Sequence, residues 1–380
     1  MRYVFLCLAA LAAAPGLATA VRLSVLAQPS EAESSLHVAL SPDGRQLYTA
    51  EYAAGGVQVF DRELATERLS WVEDEPGTED GGVAVSADGL HVYATAPGDD
   101  SIGIFARDAS TGAIDRIGVF DAGAGAPPEL DEPRALAITA DGAHVYVACA
   151  GGVLHLARDA ADGTLSFVAV TSGANGAAAL VLGPRDEQLY VTTTADDALL
   201  VYARDAEGGL TLVDTEADGV DDVTGLDQVR ALAIPPDGGH VYAIAQNHLT
   251  RFTRDAEGLL DFAASSPFGV GNGAGIAATN DRLWLFATGT GDQEMITYSR
   301  DAPSGALTLE ASVGLNAPAC VQDGEVMVAP AGRGAYTASS ELCGGGGLQT
   351  VVLVDAPEPR AASLAALTGL AYCARRIARS

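Results

Sequence analysis

The sequence predicts an all-β, seven-bladed β-propeller of four-stranded blades. Three observations carry that prediction: a phrase of the form S-x-D-G-x-x-V-Y recurs along the chain, its copies fall at blade-like intervals, and each interval holds four short β-type runs.

The phrase reads SPDGRQLY, SADGLHVY, TADGAHVY, GPRDEQLY, PPDGGHVY and TNDRLWLF, with a weaker seventh copy, APAGRGAY. With Asp43, Asp88, Asp141, Asp186, Asp237 and Asp281 as markers, the intervals are 45, 53, 45, 51 and 44 residues.

Within a repeat, the first run is small and apolar (HVAL, VAV, ALAI, ALVL, ALAI, GIAA, VMV), as suits innermost strands crowded around a central channel. The Asp-Gly turn supplies positive φ for a tight hairpin. The second run then carries a ring at Tyr48, Tyr93, Tyr146, Tyr190, Tyr242, Trp284 and Tyr336, expected to pack between blades. Third runs end in phrases such as VFDRE, IFARD, HLARD and VYARD, the most divergent being VVLVD. Fourth runs are present in six repeats, but the last repeat stops at Asp355 without one. Arg22–Gln28 (RLSVLAQ) has the fourth-run pattern, so the N-terminal strand is expected to complete the last blade and remove its open edge.

Asp and Glu outnumber Lys and Arg by 50 to 21, a formal net charge of -29, which argues against nucleic acid as a partner. The opening MRYVFLCLAALAAAPGLATA has one Arg, a short apolar run and a small-residue Ala18-Thr19-Ala20 end. This is the pattern of a signal peptide (residues 1–20) cut by signal peptidase. The propeller then spans 21–355, and 356–380 is a tail. Cys320 and Cys343 are a disulfide candidate in an exporting context, a bridge worth about 3 kcal/mol in the chain-entropy model. The spacing leaves open whether they pair.

The tail has Pro357-Glu358-Pro359, an apolar stretch over 361–373, then Arg375, Arg376 and Arg379. That order resembles the PEP-CTERM sorting signal of Gram-negative bacteria, with a less hydrophobic helix than is usual there. The resemblance implies an exosortase-type processing enzyme, a transient membrane tether through the tail, and a periplasmic, cell-surface or extracellular location.

The phrases SPDGRQLY, SADGLHVYATAPGDDSIGIFARDASTGAI and PPDGGHVYAIA resemble the YVTN or lactonase-type β-propeller family over roughly residues 22–355. The resemblance implies the fold strongly and activity weakly, because such phrases occur in lactone hydrolases, cycloisomerases and non-catalytic surface propellers alike. It also implies a Pro-His pair seven positions before the turn Asp, with Arg and Glu nearby. In this chain that slot holds Leu36, Gly81, Arg134, Ala179, Arg230, Ala274 and, in a less certain register, Glu325, and no histidine.

Arg134 and Arg230 enter innermost strands and are the candidates for holding an anion, with Glu325 opposed as a base on water. The competing expectation has each Arg paired with the acids ahead of it, Asp131 and Glu132 or Asp227, as a loop fastener. His37, near the start of the first innermost strand, joins the ligand-binding candidates. His91, His144 and His240 recur at one blade position, which argues for a structural role. Asp214, Glu216, Asp218 and Asp222 surround Gly219 at spacings suited to a weak calcium loop, while Gly225 stands where an EF-hand needs Glu. No other cofactor is expected.

The reading favoured by sequence is an exported binding or interaction module that takes a small molecule or an envelope polymer at the channel mouth. The alternatives are a lactone hydrolase related to 6-phosphogluconolactonase and a structural part of an extracellular matrix or biofilm.

Overall fold

A computed structural model of the chain describes residues 21–26, 35–51, 55–268, 272–288, 293–315, 326–328, 334–337 and 349–355. The signal peptide, Glu325, Cys320, Cys343 and the sorting residues Pro357, Glu358, Pro359, Arg375 and Arg376 lie outside the described residues.

The strands build an all-β propeller of four-stranded antiparallel blades. Six blades each use four consecutive strands, and a further four-stranded sheet has the order Val21–Val25, Gln349–Asp355, Gly334–Thr337, Val326–Val328. The third blade is representative: Ala135–Ile138, His144–Cys149, Gly152–Arg158 and Leu165–Ser172, matching the four runs read from sequence. The chain divides into two units, Leu23–Leu353, which carries the propeller, and a second made of Met1–Arg22 and Val354–Ser380. No helix among the described residues is long and apolar enough to cross a membrane.

The turn chemistry follows the repeat. Gly44, Gly89, Gly142 and Gly238 take φ near +70°, and the Ser or Thr ahead of each of the first three turns ties its ends together. In GPRDEQLY the position with positive φ is Asp186 (φ 56°), so Asp186 stands in the glycine's place and Arg185 in the aspartate's. The fourth marker therefore sits one residue late, which accounts for part of the uneven spacing.

Each of the six blades has a register shift between its third and fourth strands at the same place, three residues before the closing Arg, as at Ile104/Phe105 and His155/Leu156. One extra residue in the outer strand bends it and increases its twist.

The core lies between blades, where the second-strand rings are fully buried. Their hydroxyls form a latch to the next blade. Tyr93 donates to the Gly163 carbonyl (2.8 Å) and accepts from Arg158 Nε (2.9 Å), and Tyr48, Tyr146, Tyr190 and Tyr242 do the same with Arg107, Arg204, Arg254 and Arg300. Trp284 departs from this: its indole N–H is buried without a partner, and the position matching the latch Arg in the next repeat is Val354.

The latch also absorbs the histidines. His91 and His240 place Nδ1 2.7 and 3.0 Å from the Nη2 groups of Arg158 and Arg300. His144 Nδ1 meets His155 Nε2 at 2.8 Å, and His155 stacks on Tyr146. Burial, with the nearby His144 and Arg204, pushes His155 down to about 4, so the pair is neutral and structural at ordinary pH.

Candidate functional site at the channel mouth

The innermost strands of six blades converge on one cavity of about 760 Å³. Gly81, Arg134, Ala179, Arg230 and Ala274 from the sequence slot all line it, and His37 lines it in place of Leu36. Such a volume suits a small organic ligand.

The two arginines are carried by twin loops. In each, the residue two before the Arg adopts a left-handed backbone, Glu132 at φ 46° and Gln228 at φ 51°. Its N–H donates to an aspartate of the preceding blade: Glu132 to Asp100 Oδ1 (2.9 Å) and Gln228 to Asp197 Oδ1 (2.7 Å). Asp100 and Asp197 are themselves left-handed, at φ 48° and 47°. The Arg N–H then joins its own second strand, Arg134 to Ala148 O (2.9 Å) and Arg230 to Ile244 O (3.0 Å). Non-glycine residues held at positive φ cost about 1–3 kcal/mol each, so this construction is over-determined by its surroundings.

The side chains differ. Arg134 Nη2 pairs with Glu132 Oε2 at 2.7 Å, a half-exposed contact of the loop-fastening kind that sequence anticipated. Arg230 Nη2 lies 3.5 Å from Gln228 Oε1, at the limit of a hydrogen bond.

Sequence reading missed Asp80. It lines the same cavity, immediately before Gly81-Gly82, and its Oδ1 is buried without a hydrogen-bond partner. Burial, aided by the charge of Asp99, raises its pKa above the ordinary carboxylate range. Its neighbour Glu79 is fully buried and paired with Arg116 at 2.7 Å, which pins the segment. The sequence signal is modest: an acid abutting a Gly-Gly pair at the slot. Its meaning depends on burial that no one-dimensional pattern reports.

The acidic stretch behaves otherwise than expected. Asp214 Oδ2 accepts from Leu260 N–H (2.8 Å), Asp218 Oδ1 from Leu226 N–H (2.9 Å), and no group of three or more metal-ligating side chains is gathered among the described residues. Among the described residues Asp214, Glu216, Asp218 and Asp222 are therefore not brought together as a calcium loop, and two of the carboxylates cap backbone amides instead. Cys149 is a buried free thiol.

Residues 64–172, which include Asp80 and Arg134 but not Arg230, match the family described as "Lactonase, 7-bladed beta-propeller". No curated protein matches the chain. Among solved structures, the periplasmic gluconolactonase of Pseudomonas aeruginosa is similar at 16% identity and a TM-score of 0.64, over 79% of this chain and 98% of that one. A putative 6-phosphogluconolactonase from Bacteroides uniformis is similar at 18% identity and 0.62, over 75% and 87%. Hydrazine synthase of Kuenenia stuttgartiensis, with different chemistry in its name, reaches 17% and 0.61, over 87% and 98%. At such identities the likeness establishes the propeller fold alone.

Proposed function

We propose that this protein hydrolyses a small lactone at its channel mouth. The observation that carries the reading is the meeting of Asp80, with a buried unpartnered oxygen, and two arginines on twin strained loops in one cavity. The partial lactonase match and the lactonase names of two structural neighbours support it.

In this reading Asp80 takes a proton from water as its oxygen attacks the lactone carbonyl. The carbonyl oxygen becomes an oxyanion, stabilised by Arg134 and Arg230. The ring C–O bond then breaks, Asp80 returns the proton to the leaving alkoxide, and the hydroxy acid gives up the water's remaining proton to solvent and departs as its carboxylate. An aspartate with a raised pKa is the stronger base, and a neighbouring guanidinium offers a fork matched to the product carboxylate.

The broader frame belongs to the same proposal: seven blades with the N-terminal strand closing the last, export by the leader, and retention at or release from the envelope through the tail. The ion pair of Arg134 with Glu132 favours a second reading, a non-catalytic binding surface at the same mouth in which Arg134 fastens its loop.

The test is hydrolysis of γ- and δ-lactones by the purified full chain, beside Asp80→Asn and an Arg134→Met, Arg230→Met double variant. Turnover that falls about 10²–10⁴-fold in Asp80→Asn supports the reading. Because Asp80 must be ionised to act, kcat/KM should fall as pH is lowered through the raised pKa of Asp80, and that limb should vanish in Asp80→Asn. Absence of turnover across the panel overturns it in favour of binding alone.

A further inference from the structure

A second cavity of about 280 Å³ lies between the fifth and sixth blades, away from the channel-mouth cavity, lined by Leu249, Arg251, Phe268, Tyr298 and Leu307 among others. The repeat makes its arginine conspicuous. Arg251 sits three residues before the latch Arg254, on the third strand His248–Arg254. The matching residues in the other blades are Val59, Ile104, His155, Val201 and Thr297, all buried, and in three of the five aliphatic.

Arg251 is only partly buried, yet its Nε is shielded from solvent and has no hydrogen-bond partner. Nor is any carboxylate among the described residues paired with it, in a chain whose acids exceed its bases by 29. A buried guanidinium atom without a partner is costly, so a cation placed where sister blades put Val or Ile weakens this blade unless something repays it. The cavity at its side is walled by Leu249, Phe268 and Leu307, with Tyr298 contributing an amphipathic ring.

We infer that this inter-blade cavity, with Arg251 as its cation, is a binding site for a small organic carboxylate bearing an apolar body. The guanidinium takes the carboxylate and the leucine and phenylalanine walls take the apolar part, and the small volume limits the ligand to about the size of one ring or a short chain. The site is independent of the hydrolytic reading of the channel mouth.

The experiment is calorimetric titration of the full chain with benzoate, hexanoate and inorganic phosphate. The variants are Arg251→Met, Arg251→Val and, as a control, Arg185→Met, an exposed arginine that lines neither cavity. The expected result is saturable binding of benzoate or hexanoate that weakens at least about tenfold in both Arg251 variants and is unchanged in Arg185→Met, with phosphate binding weaker. Arg251→Val, which restores the aliphatic residue of sister blades, should also keep or raise the thermal midpoint. Absence of saturable binding, binding indifferent to Arg251, or phosphate bound as tightly as benzoate overturns the proposal. So does a lowered midpoint in Arg251→Val, which would make Arg251 a structural residue.

Discussion

Arg62 of the first blade and Tyr336 of the C-terminal sheet, 274 positions apart, are joined by a hydrogen bond of 2.5 Å from Arg62 Nε to the Tyr336 hydroxyl. The hydroxyl in turn donates to Glu67 Oε2 at 2.6 Å, and Arg62 pairs with the same carboxylate at 2.6 Å. This is the inter-blade latch in a variant form, with a carboxylate in place of the glycine carbonyl. Tyr336 also packs with Val38, Leu47 and Phe60, while Trp284 packs with Val326 and Ala335, so the C-terminal sheet meets blade one on one side and blade six on the other.

From that arrangement Arg62→Met should be the most damaging latch substitution, at about 3–5 kcal/mol, because it leaves Glu67 buried without its cation. Tyr336→Phe should cost about 1–3 kcal/mol. Urea denaturation of both singles and the double variant should show strong non-additivity, since all three groups share one network. Equal small effects would mean that the two ends are not coupled.

The twin loops make a prediction about positioning. Asp100 and Asp197 hold Glu132 and Gln228 in left-handed backbone, and through them orient Arg134 and Arg230. Asp100→Ala should therefore lower lactone kcat/KM about tenfold or more, beyond what any loss of folded protein accounts for. Glycine at position 132, which tolerates the left-handed backbone, should restore part of the loss in the double variant Asp100→Ala, Glu132→Gly. A loss that glycine does not rescue would point to a different role for Asp100.

Strand phase and the approach of Arg134 and Arg230 to one cavity were legible because both follow from period. The ring positions, the turn aspartates and the innermost strands repeat, and each repeated feature has one place in a blade. Asp186 misled by chemistry: an aspartate adopts positive φ more readily than most residues, so it could replace the glycine and be taken for the turn acid. The latch was half legible, its rings read as packing while the Arg of each VFxRD phrase went unassigned. Asp80 and Arg251 were out of reach because their significance lies in departures from the repeat and in what fails to surround them. The acidic stretch misled in the other direction, since amides of Leu226 and Leu260 satisfy carboxylates that spacing alone offers to a metal.

Two carboxylates predict how stability depends on pH. Against the opposing effect of burial, hydrogen bonds from Ser86, Leu90 N–H and Arg158 hold Asp88 down to about 2. Its folded value is below its ordinary 3.8, so its contribution is complete above that value and is lost as pH falls toward 2. Burial, with repulsion from Asp214, Asp261 and Asp221, raises Glu216 to about 7. Its folded value exceeds its ordinary 4.5, so the folded state keeps a proton that the unfolded chain has released, and stability declines as pH rises from 4.5 to 7. Glu216→Gln should then raise the thermal midpoint at pH 8 and leave it unchanged at pH 4, while Asp88→Asn should cost stability at pH 7 and little at pH 2. Parallel melts across pH would read both signs.

Gly82 tests whether the packing of blades two and three and the candidate chemistry depend on one contact. Its N–H donates to the Arg134 carbonyl at 2.8 Å, so the segment bearing Asp80 and the strand bearing Arg134 are joined by backbone. A Cβ at Gly82 would stand 2.8 Å from that carbonyl oxygen and 2.9 Å from the Ala135 Cα, backbone atoms that have no flexible end to yield. Gly82→Ala should therefore force the two strands apart, lowering stability by about 1–3 kcal/mol and lactone kcat/KM by more than that loss of folded protein accounts for. Gly98→Ala is the matched control, because a Cβ there meets nothing within 4 Å. If Gly82→Ala lowers stability while the remaining folded protein keeps full kcat/KM, the spacing of Asp80 from Arg134 does not matter to turnover, and a base-and-cation mechanism shared between them is wrong.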